Sequence, residues 1–178
     1  MAYTACAFAA ALILSRLAGR RVPLRALPAL FLLLFFILLT QLPMPDPATM
    51  ICPRPEAKVN LMPFRFVLHF LDLQARGDSA LTDRTVMTGL ANLLICGLIG
   101  AALMPFMDRP VQAAGLGLGL SGLVELTQLT GVFGLFPCPY REFDVDDLIL
   151  NVAGVWGGYV ITRALQSRFF QRGGGAGH

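Results

Sequence analysis

Charge is what this sequence has least of. Of its 178 residues only 14% are Asp, Glu, Lys or Arg, against roughly 25% in an ordinary soluble domain, which argues against a soluble globular enzyme. Lys58 is the sole lysine, so a net charge of +3 rests almost wholly on arginine. A nucleic-acid face needs a dense basic patch, and none is present. Histidine is scarce too: His69 is the only one away from the tail, and no His pair or Cys-x-x-Cys occurs. Zinc held by imidazole or paired thiolates therefore lacks its ligands. The lack of charge excludes disorder, and the lack of a period excludes collagen-like or low-complexity readings.

Apolar residues are abundant, at 56% of the chain with a mean hydropathy of +0.66. Residues 26–45 and 85–107 carry no charge, and about 20 helical residues cross a hydrocarbon core of roughly 30 Å. Two spans follow from length alone. Three shorter charge-free runs occupy residues 1–15, 110–124 and 148–162. The second becomes a span if Glu125 is admitted, and the third if its helix starts near Val145. None alternates as a barrel strand would, and lipid cannot satisfy unpaired backbone amides, so helices are the expected form. The first run has no basic residue ahead of it, the reverse of a secretory signal, and is read as a short first span. The expected fold is all-α: a polytopic membrane helix bundle of about five transmembrane helices forming a single membrane domain over 1–178.

Orientation follows from arginine near the span ends. Arg16, Arg20, Arg21 and Arg25 follow the first run, Arg109 sits in a tight turn, and Arg163, Arg168 and Arg172 follow the last span. All three segments fall on one side, expected to be cytoplasmic. That places the N-terminus outside and the C-terminus inside. The outer loops are then roughly 46–84 and 130–147. The first begins with Pro43, Pro45, Pro47, Pro53 and Pro55, which forbid a helix. Beyond them Phe64, Val67, Leu68 and Leu71 recur at helical spacing opposite Arg65 and Asp72, as in an amphipathic helix lying on the membrane surface. The Gly-rich tail at 173–177 is read as a flexible end.

Polar residues within the spans are few. A carboxylate at Glu125 costs roughly 2.5–3.5 kcal/mol on insertion scales unless it faces protein or water. Ser121, Glu125 and Gln128 share one helix face, either as structural glue between helices or as part of a site. Asp144, Asp147 and Asn151 lie on one face at the start of the last span, where acidic residues also suit the positive end of a helix. At about 1.5 Å per residue, Asn92 lies roughly 10 Å below the outer end of its helix, level with Glu125 and Asn151. Asn92, Glu125, Gln128, Arg141, Asp144, Asp147 and Asn151 are thus expected to form a polar pocket opening outward. Asp144, Asp146 and Asp147 offer an all-oxygen site for a divalent hard cation such as magnesium or calcium, although the spacing is not an EF-hand. Ser121 has no histidine partner for serine-hydrolase chemistry.

Two glycine pairs, Gly115 with Gly119 and Gly154 with Gly158, have the spacing that permits close helix approach. Gly117-x-Gly119-x-x-Gly122 matches a dinucleotide fingerprint but lacks the preceding strand that motif requires. Of the four cysteines, Cys6 and Cys96 fall in spans and Cys52 and Cys138 in the outer loops. The latter pair either forms a bridge tying the long loop over the pocket or leaves two external thiols.

Taken together, Ser121-x-x-x-Glu125-x-x-Gln128 and Arg141-x-Phe143-Asp144-x-Asp146-Asp147-Leu148-Ile149-Leu150-Asn151-x-x-Gly154 resemble the signature of VanZ-like membrane proteins. Asn60-Leu61-Met62-Pro63-Phe64 resembles the element that precedes that family's third span, and Asn92 with Gly100 the next. The resemblance covers 60–161. Cys96 and Leu98 depart from it where the family often has Phe and Pro, which bears on local helix geometry. It implies a small bacterial multi-span protein, of a family whose founding member is associated with tolerance of the glycopeptide teicoplanin. Two function classes follow. One is a non-catalytic envelope protein whose outer pocket binds a lipid-linked or cell-wall precursor head group, or a glycopeptide. Its binding residues would come from Asn60, Asn92, Ser121, Glu125, Gln128, Arg141, Asp144, Asp147 and Asn151. The other is a membrane-embedded hydrolase or transferase on a lipid-linked phosphate, with Glu125 or Asp147 as general base and Arg141 on phosphate. A transporter is the weakest option, since no internal repeat is evident.

Overall fold

The computed structural model describes residues 2–19, 21–46, 48–52 and 59–173, with side chains from Tyr3 to Arg168. Arg20, Pro47, Pro53, Arg54, Pro55, Lys58 and the tail beyond residue 173 lie outside the described residues, as does the side chain of Arg172. The helices are α1 (Ala2–Leu17), α2 (Leu27–Gln41), α3 (Arg65–Arg76), α4 (Arg84–Leu103), α5 (Pro110–Leu129), the short α6 (Gly131–Gly134) and α7 (Val145–Gly173). Two-residue strands β1 (Val59–Asn60) and β2 (Phe143–Asp144) pair in parallel, Val59 opposite Phe143 and Asn60 opposite Asp144. The fold is all-α in class.

Three segments are long and apolar enough to cross a membrane: Leu24–Gln41, Arg84–Phe106 and Val145–Arg168. Helix α1 is apolar but shorter. Helix α5 is as long as α4, at 20 residues each, and its glycines and Gln112, Glu125 and Gln128 dilute its apolar character. Local signals set the ends. Pro110 opens α5 where its missing N–H would be unpaired in any case. The Gln112 side chain accepts from the Asp108 and Arg109 amides, at 2.9 and 3.0 Å, and fixes the preceding turn. Asp83 caps α4 by accepting from Val86 N–H at 2.9 Å.

Helices α4 and α7 run parallel and form the most extensive contact, while α5 lies antiparallel along α7. Glycine makes the α4–α7 approach possible. A Cβ at Gly100 would lie 2.0 Å from the Val155 carbonyl oxygen, one at Gly158 1.9 Å from that of Gly97, and one at Gly154 2.6 Å from that of Leu93. Backbones this close gain dispersion and weak Cα–H to carbonyl contacts that no larger residue permits. The Gly154 and Gly158 pair therefore works as its spacing predicts. Gly115 and Gly119 do not: nothing lies within 4 Å of a Cβ at either, because Gly117, on another face of α5, meets Val152 and Val155 instead. Phe36 of α2 joins Cys96, Ile99, Val155 and Tyr159 in the core beside this seam.

The bundle has two unlike ends. At one, the basic segments converge: Arg25 lies over the Phe106 ring at 5.4 Å, and Arg163 donates to the Asp108 carbonyl and the Tyr159 hydroxyl. Asp144, Asp146, Asp147 and α3 occupy the other. Cys52 and Cys138 are joined there in a disulfide, with Cα atoms 5.8 Å apart.

Candidate functional site

The acidic end is built around the start of α7. Asp146, buried at 6% exposure, gives one oxygen to Phe64 N–H and the other to Phe66 N–H, each at 2.6 Å. It is the carboxylate that holds the N-terminus of α3, where Phe64 adopts a left-handed conformation with φ 64°. With both oxygens taken by amides, Asp146 is poorly placed to ligate a cation. Among the described residues no group of three or more His, Cys, Asp or Glu is arranged to hold a metal ion.

Asp144 accepts from Asn60 Nδ2 and from the Asp146 amide through one oxygen, both at 2.9 Å. Its own amide donates to Glu125 Oε2 at 3.1 Å. Asp147 accepts from Asn92 Nδ2 at 3.1 Å. Deeper in the bundle Cys96 donates to Asn151 Oδ1, and Asn151 Nδ2 donates to Ser121 at 3.0 Å, a chain across α4, α7 and α5. A third group sits at the end of α2. Gln128 Nε2 and the Arg141 guanidinium both donate to the Thr40 carbonyl, at 2.8 and 2.9 Å, satisfying the negative end of that helix. Next to it Tyr140 donates to Gln41, and burial pushes its phenol pKa up, opposed by Arg141.

The residues expected to share one pocket are thus divided among three environments. An open cavity of about 430 Å³ lies under α3. Asp144 of β2 and Asp146, Asp147 and Leu150 of α7 form one side, Arg84, Thr85, Thr88 and Gly89 the α4 side, and Arg65, Phe66, His69 and Glu142 the rim and roof. Glu125, Ser121 and Asn151 are 1–3% exposed and stand behind this wall with Asn92, while Gln128 and Arg141 stand to one side at Thr40. Gly89 lets the roof come down: a Cβ there would meet the Phe66 ring at 2.5 Å.

Arg65, His69 and Arg84 were not singled out from sequence as site residues. Arg65 faces Glu142 at 3.6 Å, and His69 lies 3.1 Å from Asp83. The Val86 amide, with help from His69, holds the Asp83 carboxyl below its ordinary range. The one signal for the first two was amphipathicity: Arg65 and His69 lie on the helix whose Val67, Leu68 and Leu71 remain exposed.

Apolar spanning helices, a glycine-sealed core and charged groups confined to the ends define a polytopic α-helical membrane protein. The chain belongs to the VanZ/LLP1 family, whose model matches residues 29–166. That match takes in α2 through most of α7, including every wall of the cavity. No curated protein and no solved structure matches the chain.

Proposed function

We propose that this protein is an envelope protein of the bacterial inner membrane. Its acidic end faces outward, and the cavity under α3 receives the polar head group of an envelope molecule: a lipid-linked or cell-wall precursor, or a glycopeptide such as teicoplanin. Family membership and the apolar spans support a membrane role. The observation that carries the reading is the cavity itself, which brings two guanidiniums and several carboxylates together at the end of an otherwise apolar bundle. Charged side chains in membrane proteins are costly unless they face protein, water or ligand. The convergence of arginine at the opposite end supports the orientation, because basic loops are retained in the cytoplasm.

Binding is favoured over catalysis because two of the three candidate catalytic groups are engaged, leaving Asp147 at the cavity without the Glu125 and Arg141 partners that the reaction would use. Glu125 is 2% exposed and bonded to the Asp144 amide, and Arg141 is bonded to Thr40. The test uses purified full-length protein in nanodiscs, titrated with a fluorescent undecaprenyl-pyrophosphate-linked peptidoglycan precursor and, separately, with fluorescent teicoplanin. Saturable binding of either probe that weakens in Arg84→Gln is expected. Absence of binding to both would remove the reading.

A further inference from the structure

The charges lining the cavity do not cancel, and the imbalance has a chemical meaning. Four carboxylates meet two guanidiniums. Asp146 is fully engaged by amides and Glu142 faces Arg65. Among the described residues Arg84 has no carboxylate within ion-pair distance. Asp144 and Asp147 each use one oxygen, for Asn60 and the Asp146 amide and for Asn92 respectively. Their second oxygens accept nothing from described residues, yet no buried side-chain oxygen or nitrogen among these residues lacks a partner. The free oxygens therefore keep accessible surface, and both residues line the cavity. A complementary ligand carries an anion for Arg84 and a hydrogen-bonding cation for Asp144 and Asp147.

The surface below the cavity indicates what that ligand is attached to. Met87, Ala91, Leu94 and Leu98 follow Arg84 at helical spacing along α4 and are exposed within a membrane-spanning segment. A molecule with its charged group in the cavity has an apolar stripe along which a chain can lie. We infer that the cavity holds the head group of a zwitterionic phospholipid, its phosphate at Arg84, its primary ammonium between Asp144 and Asp147, and an acyl chain against that stripe. The inference rests on the part of the reading above that has the cavity receive a polar head group, and it assigns that head group to a bilayer phospholipid rather than to a precursor or glycopeptide. A trimethylammonium has no N–H to give the two free oxygens, and a glycerol head brings no positive charge to offset them. Phosphatidylethanolamine is thus preferred over phosphatidylcholine and phosphatidylglycerol.

The experiment is competitive lipid retention by full-length protein exchanged into micelles containing equal amounts of the three dioleoyl phospholipids, with bound lipid counted by native mass spectrometry. Replacing a charge-assisted hydrogen-bond pair is worth about tenfold, so phosphatidylethanolamine should exceed each of the others by on the order of tenfold. Asp147→Asn, which keeps an acceptor for Asn92, should bring the ratio close to unity, and Arg84→Gln should lower phosphatidylethanolamine retention. Free phosphoethanolamine should not displace the lipid, because it lacks the chain. Equal retention of the three lipids overturns the inference, as does an Asp147→Asn protein that stays monodisperse and keeps the wild-type ratio. Complete displacement by free phosphoethanolamine would overturn the lipid source. If Asp147→Asn is not monodisperse, the wild-type ratios and Arg84→Gln decide alone. Arg84-dependent binding of the undecaprenyl-pyrophosphate probe without any phosphatidylethanolamine preference overturns this inference and leaves the head-group reading standing, whereas binding of neither overturns both.

Discussion

The stretches Leu24–Gln41 and Arg84–Phe106 have the same mean hydropathy, 2.0, yet 17% of the apolar window of the first and 33% of that of the second is buried within the protein. Lipid tails are as apolar as leucine, so burying leucine against protein gains little in a bilayer. What α4 has and α2 lacks is glycine at the contact, together with Asn92 and Cys96 as partners for α7. The α1–α2 pair shows the opposite case. It has one edge-to-face contact, Phe8 on Phe31 at 5.6 Å, and an open groove lined by Leu12, Ile13, Leu24 and Leu27. Small residues and polar pairs, not apolarity, decide which helices of this chain adhere, and the tight seam carries the acidic end.

The sharpest way to break that comparison is to block the seam. Gly158→Leu or Gly100→Leu puts side-chain atoms where a backbone carbonyl already lies. Overpacking commonly costs about 1–3 kcal/mol, and a rigid backbone neighbour places these variants at or above the top of that range. Loss of monodisperse protein on size-exclusion chromatography is expected. Gly115→Leu and Gly119→Leu, with open space around them, should purify like the parent protein.

A more local effect is expected at the acidic end, confined to one helix rather than to the whole bundle. Asp146→Ala removes both acceptors at the start of α3, and hydrogen bonds to a charged group are worth about 1.5–3 kcal/mol each. Helix α3 should become protease-sensitive while α4–α7 stays intact. Glu125→Gln retains an acceptor for the Asp144 amide and should preserve folding, so any loss of precursor binding in it reports on charge rather than structure. Phe8→Ala deletes the one aromatic contact of α1, worth about 0.5–1.5 kcal/mol, and should leave thermal stability of the remaining bundle unchanged. The smallest effect is one of pH. Because the folded state holds the Asp83 carboxyl below its ordinary range, its contribution to stability is present above the unfolded value and is lost as pH falls through the lower folded value. Thermal melts of the parent and Asp83→Asn should therefore differ at neutral pH and converge in acid below about pH 4.

Much of this arrangement was legible in the sequence. Charge-free runs located α2 and α4, the spacing of Val67, Leu68 and Leu71 located α3, and the segment from Arg141 to Gly154 located the acidic start of α7. The grouping of polar residues was legible only in part. Depth along a helix placed Asn92, Glu125 and Asn151 at one level, but level does not fix rotation, and packing turned Glu125 and Asn151 behind the cavity wall. Asp146 read as a candidate cation ligand, and its structural role was hidden because its partners, the Phe64 and Phe66 amides, lie about eighty residues earlier in the chain. The left-handed turn in which Val132 and Phe133 take φ 55° and 56° had no local signal either, since neither residue favours that conformation. The glycine pairs were equivalent by spacing, and only the contacts of α7 separate Gly154 and Gly158 from Gly115 and Gly119.

The central claim is that the glycine seam presents a charged cavity to the outer face of the membrane. Thr88→Cys places a thiol in the α4 wall of that cavity, with the parent protein as the background for Cys6 and Cys96. Intact cells treated with a membrane-impermeant maleimide should label Thr88→Cys above that background without permeabilisation. Labelling that appears only after the cells are opened would place the cavity on the cytoplasmic side and contradict the account.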